Sequence, residues 1–378
     1  MADDIRYDVL IDNQADDRVT ADLSHIQIVE SVREMTTFLV RVEIDICGSN
    51  LSLIDEPTLQ PQSSSLMTII AYVNGASQVL AHGRITNQSK KIIQGGPGSY
   101  IEVMGADRRI EMDRNFTPSA GPISGTADLI VTPILSKYNF TVDADQCQLN
   151  YDQDHPFSQT TSDLRTVTQL AMDSGVEFWL DWVLSLSSVA ETAHFKSQPP
   201  LNNSPARGGL GALLSSLLAP PDIITLSINT GDGSNSINDI GPTYNAEMPN
   251  QTGDVWRIDI DHGRLVKANI PAPTQSPLGG PVPITAPFTS SFPTAGDADR
   301  ATSIFTSAVN DAGWRWSATT ATTAHAACGL IRPRQLVNVQ GTGSIDDGQW
   351  FVWKVSHDIT PADHKMSLEL RRNTQGSP

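Results

Sequence analysis

Residues 100–140 read YIEVMGADRRIEMDRNFTPSAGPISGTADLIVTPILSKYNF. A strand leads into a charged turn at Asp107-Arg108, a second acid-base pair follows at Asp113-Arg114, and a Gly/Pro-containing loop opens into a short helix that begins near Asp128. Hydrophobic periodicity changes from two to about 3.6 across this stretch, which makes it a joint between a β unit and a helical one.

Working back towards the N-terminus, the chain reads as strands. In TFLVRVEIDIC (37–47), Phe38, Val40, Val42, Ile44 and Ile46 alternate with Leu39, Arg41, Glu43 and Asp45, the period of a half-buried strand. Tyr7, Val9 and Ile11 repeat the pattern. Residues 66–73 and 78–86 flank Asn74-Gly75, a two-residue turn signal, and predict a hairpin. Working forward, Leu164, Val167, Leu170 and Ala171 share one helical face within 158–179, with Thr161 or Ser162 to cap the start and Gly175 to end it. An aromatic strand over 176–182 follows, so a helix lying on a small sheet is expected. Strands are expected at 223–228 and 255–260, and a helix over 298–312. In QWFVWKVSH (349–357), Phe351, Trp353, Val355 and His357 form one side of a strand that pairs with a last strand carrying Met366, Leu368 and Leu370.

Residues 80–109 and 351–373 echo one another. Each has an apolar strand, a polar connection and an alternating strand ending in Arg-Arg. The expected fold class is therefore mainly β with α+β inserts: two similar small β-barrels plus a helix-containing insert. The boundaries expected are a first barrel at 1–110, an α/β insert at 111–200, a loop-rich β segment with linkers at 201–297, and a helix plus second barrel at 298–378, the last drawing some strands from 223–270. The Pro-, Ser- and Gly-rich stretches 197–222 and 271–297 read as loops. Within the first, Leu213, Leu214, Leu217 and Leu218 give a short apolar face, which reads either as a helix packed on its neighbour or as a partner-docking loop.

Composition narrows the function. The chain has 378 residues, 39% hydrophobic and 18% charged, with 27 Gly and 24 Pro, a balance that favours turn-rich β architecture over disorder. Its formal net charge of −17 repels phosphate, so no stable nucleic-acid binding is expected; the acidity serves solubility or a channel wall that cargo slides along. Cys47, Cys147 and Cys328 are widely spaced and fit neither a disulfide framework nor a zinc site. The acidic N-terminus shows no secretory signal, and no apolar run reaches the ~18 residues that span a bilayer.

The order of motifs resembles the late control protein D family of phage-tail baseplate hubs, which also supplies the first part of the valine-glycine repeat spike proteins of type VI secretion. The positions that carry it are Asp107, Arg108, Asp113 and Arg114, then Asp128-Leu129-Ile130, Ile134-Leu135 and Tyr138, then Gly175 with its aromatic strand, and finally Gly341-Thr342-Gly343, Gly348 and Val355-Ser356-His357. Arg334 stands where the pattern has a glycine. The resemblance spans about two-thirds of the chain and implies that these residues are scaffold. It further implies a homotrimeric ring of six like barrels that joins a six-fold tail tube protein to a separate three-fold spike protein, with wedge or tape-measure proteins nearby. It implies no enzyme, cofactor or metal, and a place in the virion tail baseplate or an injection particle assembled in the bacterial cytoplasm.

Two other readings are open from the residues. A tail-associated peptidoglycan hydrolase would need two carboxylates in a recognisable context, and none stands out. No G-x-S-x-G elbow, H-E-x-x-H helix or phosphate loop is present. A carbohydrate-binding β-sandwich rests on Trp179, Trp182, Trp350 and Trp353. His357 and His364 read either as a ligand pair across a hairpin or as a satisfied polar contact.

Overall fold

The computed structural model describes residues 5–45, 51–73, 76–94, 98–116, 118, 121–185, 188–197, 223–231, 233, 235–245, 255–259, 262–268, 278, 290–295 and 298–374. Ile46 and Cys47, at the end of the expected strand 37–47, lie outside them, as do the docking-loop leucines Leu213, Leu214, Leu217 and Leu218.

Period-two patterning produces the strands anticipated. Thr37–Glu43 buries Phe38, Val40 and Val42, and its partner Tyr100–Asp107 buries Ile101 and Val103 opposite them. Tyr100–Asp107 also pairs antiparallel with Ala76–Lys91, which pairs with Leu66–Val73, which pairs with Arg6–Ile11. At the other end of the chain Gly348–Ile359 and His364–Arg372 form the second hairpin of the echo, flanked by Trp316–Thr323 and then Ile240–Tyr244. Leu336–Gln340 also pairs with Gly348–Ile359 and carries Ile224–Ser227 in parallel.

The two ends of the chain are not separate sheets. Leu23–Ser31 pairs with Thr37–Glu43 on one side and with Gly348–Ile359 on the other, with Ile28 opposite His357 and Glu30 opposite Val355. One 13-stranded sheet results. A single hydrophobic cluster runs through both halves, from Val9, Ile28 and Val40 to Trp316, Val337, Trp350 and Leu370. The expectation placed a unit at each end of the chain; backbone pairing makes them halves of one continuous sheet.

Helices Ala127–Ser136 and Asp163–Ser174 cover a three-stranded sheet of Thr141–Ala144, Glu177–Leu184 and Val189–Lys196, around a second core holding Ile130, Leu135, Leu170, Phe178 and Phe195. Ser162 caps the second helix through its side chain, and Gly175 ends it at φ 70°, a left-handed conformation that costs glycine nothing. Helix Ala298–Asp311 packs on the same element: the Ser303 and Ser307 hydroxyls donate to the carbonyls of Asp173 and Met172. A second small sheet joins Val255–Asp259, Arg264–Ala268 and Ser290–Ala295. The last of these lies inside the stretch expected to be loop, because pairing with a parallel neighbour can build a strand without an apolar alternation in its own sequence.

Close approach across the first hairpin depends on Gly83, where a Cβ would overlap the Ala106 carbonyl. Gly83→Ala is expected to cost about 1–3 kcal/mol in urea unfolding; an unchanged midpoint would contradict this packing.

Candidate functional site

Two groups of buried polar contacts carry the structure where its parts meet. The first is at the joint of residues 100–140. Asp107 ends its strand with a buried carboxylate that accepts from the Arg109 backbone N–H at 2.9 Å, from Arg109 Nη2 at 2.7 Å and from the Thr36 N–H at 2.7 Å. Arg109 Nη2 also donates to the Glu34 carbonyl at 2.8 Å. The acid is thus paired with Arg109, not with Arg108, and the pair is buried, with side chains 0% and 3% exposed. It is no surface pair: its charges have left water, so loss of one partner strands the other.

Arg108 points to the insert instead. It bridges Glu111 at 3.0 Å and Glu191, and lies over the Phe140 ring at 5.1 Å. Asp113 accepts from the Ser162 hydroxyl at 3.3 Å, whereas Arg114 is exposed at the end of its short helix. Asp128 accepts from the Cys147 N–H at 3.0 Å. Leu135 and Tyr138 sit in the insert core, where the Tyr138 hydroxyl donates to Asp163 at 2.8 Å. Gly348 starts its strand at φ 121°. The motif residues do not converge on one point; Arg108 and Asp113 tie the turn and its short helix to the insert, and the others hold their own elements.

The second group lies on the seam between the halves. Glu30 accepts from Arg332 Nη2 at 2.7 Å and from Arg332 Nε at 3.1 Å. Its other oxygen faces His357 Nε2 at 3.2 Å; His357 Nδ1 meets His364 Nε2 at 2.9 Å, and His364 Nδ1 meets the Tyr7 hydroxyl at 2.6 Å. One proton arrangement that satisfies these contacts places a hydrogen on each Nε2 and leaves each Nδ1 to accept. Burial and the adjacent His357 push His364 down to about 3. Burial works against the charge on Glu30, yet Arg332 and His357 outweigh it and hold that carboxyl below its ordinary value. The histidines are therefore a polar contact inside the core, and among the described residues no cluster of three or more His, Cys, Asp or Glu could hold a metal ion.

Two further arginines, Arg33 and Arg334, bind the insert to this seam, and Arg332 also reaches the main-sheet strand Ala76–Lys91. Arg33 bridges Glu177 at 3.0 Å and Asp311 at 2.7 Å, and lies 5.2 Å from the Trp353 ring. Arg332 donates to the Val79 carbonyl at 3.0 Å. Arg334, at the position where the family pattern has glycine, keeps the left-handed turn with φ 69°. Its guanidinium donates to the Ser31 and Val32 carbonyls at 3.1 and 3.0 Å and covers Trp179 at 4.8 Å, contacts that offset the backbone strain. Trp179 in turn stacks on His194, which sits between Asp143 at 3.0 Å and Asp181 at 3.2 Å.

Glu30, Arg33 and Arg332 were not picked out from the sequence. A usable signal exists: Ile26, Ile28 and Glu30 fall on one face of a period-two strand, which marks Glu30 as a buried charge in need of a partner. The four tryptophans of the carbohydrate-binding reading are between 0% and 7% exposed and present no stacking platform.

Glu30→Gln removes the carboxylate that pairs directly with Arg332 and is expected to cost about 3–5 kcal/mol in denaturant unfolding at neutral pH. A depressed carboxyl stabilises above its ordinary value of 4.5 and loses that contribution as pH falls through its folded value. The gap between wild type and variant is therefore expected to narrow below that range; a gap independent of pH would contradict the pairing.

No protein-family model matches the chain, and no curated protein matches it by sequence. Solved structures do. The tail protein from Neisseria meningitidis MC58 aligns over 99% of this chain and 99% of its own, with a TM-score of 0.59 at 12% identity. The 43 kDa tail protein of prophage MuSo2 from Shewanella oneidensis aligns over 98% and 99%, with a TM-score of 0.58 at 11% identity. The E. coli c3393 protein, a type VI secretion component described as similar to the T4 tail proteins gp27 and gp5, aligns over 94% and 76% at 0.52 and 9% identity. From end to end, the chain has the fold of phage tail proteins, the one its resemblance to the late control protein D family implied.

Proposed function

We propose that this chain is a structural baseplate hub of a contractile phage tail or related injection particle. Three copies form a ring that meets the six-fold tail tube protein on one face and a three-fold spike protein on the other. The observation that carries this reading is the end-to-end likeness to two tail proteins, each covered over 99% of its length. The hairpin echo supports it: 76–107 and 348–372 are like units in one sheet, and three copies of two like units give a ring able to meet six-fold and three-fold partners.

The role is scaffolding, not catalysis. The buried charges of the joint and the seam are spent on one another and on backbone carbonyls, the pattern of a frame that has to keep its shape under load. The net charge of −17 fits a wall past which DNA or protein cargo moves without adhering. Wedge or tape-measure proteins are further candidate neighbours.

Light scattering on the purified chain is expected to give about three times its 40.8 kDa mass, or three copies of the chain per complex once the particle's spike protein is added. A monomer under both conditions would overturn the hub reading.

A further inference from the structure

A cleft of about 500 Å³ opens between the first strand of the chain and the turn 360–363 that joins the last two. Two strands run out of partners along it. Arg6–Ile11 pairs over its length with Leu66–Val73, but on its other side only Leu10 and Ile11 are paired, with Gln14–Ala15. Hydrogen bonds alternate along an antiparallel pair, and the Asp12 N–H donates to the Leu66 carbonyl, so Tyr7 and Val9 are the residues whose N–H and C=O point away from Leu66–Val73. Tyr7 lines the cleft. Leu23–Ser31 pairs with Gly348–Ile359 only from Ile26 onward, which leaves Leu23, Ser24 and His25 without a strand on that side, and they line the cleft as well.

An open strand edge invites uncontrolled pairing, and folds normally blunt it. Here the edge is recessed: the helix Asp17–Ala21 and the turn 360–363 flank it, which keeps a flat sheet away and admits a single extended chain. The Tyr7 hydroxyl, 2.6 Å from His364 Nδ1, fixes the edge from within, so it needs no ordering on binding. The cations of the cleft are engaged, Arg6 with Asp8 at 3.2 Å and His25 Nε2 with Asp358 at 2.8 Å. Asp363 is not. It is exposed on the turn, and its backbone closes that turn with Thr360, but among the described residues no hydrogen bond or ion pair reaches its carboxylate. We propose that the cleft is a strand-addition site for a partner protein. An extended segment pairs with the backbone of Tyr7, sets alternate apolar side chains against Ile5, Leu23 and Ile359, and brings a lysine or arginine to Asp363. Main-chain bonds supply the affinity; the apolar walls and the acid choose the sequence. A net charge of −17 makes a second copy of this chain the poorer source of a basic segment, so the occupant is a different protein.

Selection on the full chain from a library of random linear peptides about nine residues long tests this. The peptides recovered are expected to alternate apolar with polar residues around a Lys or Arg. Their affinity is expected to fall about tenfold or more for Asp363→Lys, a change confined to an exposed turn. N-methylation of the peptide amides is expected to abolish binding at alternate positions and to be tolerated between them, the mark of pairing with one strand edge. Peptides that bind Asp363→Lys as tightly as wild type, that tolerate N-methylation throughout, or that are not recovered at all would overturn the proposal. So would a peptide affinity that falls as the concentration of the chain itself rises, because a second copy would then be the occupant.

Discussion

The structure depends on one buried ion pair and on the strand pairing that buries it. Glu30 is a charge inside a strand whose alternate residues, Ile26 and Ile28, belong to the core. Its desolvation is tolerable only with a partner in place, and Arg332 supplies that partner from the other end of the chain. The same carboxylate orders the His357–His364–Tyr7 relay, so a single acidic side chain reports whether four strands have met in register. Slipping the pairing by one residue would turn Glu30 away from Arg332 and Ile28 out of the core together. The charge gives specificity to a junction that apolar packing alone would leave adjustable.

Around this junction arginine is used where lysine would not serve. Arg33, Arg108 and Arg334 each combine directed hydrogen bonds with an aromatic face: Trp353, Phe140 and Trp179 respectively. A planar guanidinium does both at once. The insert is therefore held both by these polar contacts and by its own apolar core, which takes in Ile70 and Val79 from the main sheet.

Much of this was legible residue by residue. Phe38, Val40 and Val42 announced their strand, Ser162 and Gly175 bracketed their helix, and the Arg-Arg endings marked two like hairpins. These signals are local. The pairing of Leu23–Ser31 with Gly348–Ile359 is not, since nothing in either strand names its partner. The choice of Arg109 over Arg108 for Asp107 depends on where the strand stops and the helix begins, a boundary finer than periodicity resolves. Arg334 shows a third limit: a left-handed turn reads as glycine until the carbonyls and the ring that hold the arginine are known.

The two halves fold as one sheet through the seam. Native-state hydrogen exchange of the amides in Ile26–Ser31 and Lys354–Ile359, followed as denaturant is raised, addresses it directly. These amides are expected to exchange only through global unfolding, with the same denaturant slope as the strand cores on either side. Exchange by an earlier opening that leaves both hairpins protected would show two independent halves, and would contradict it.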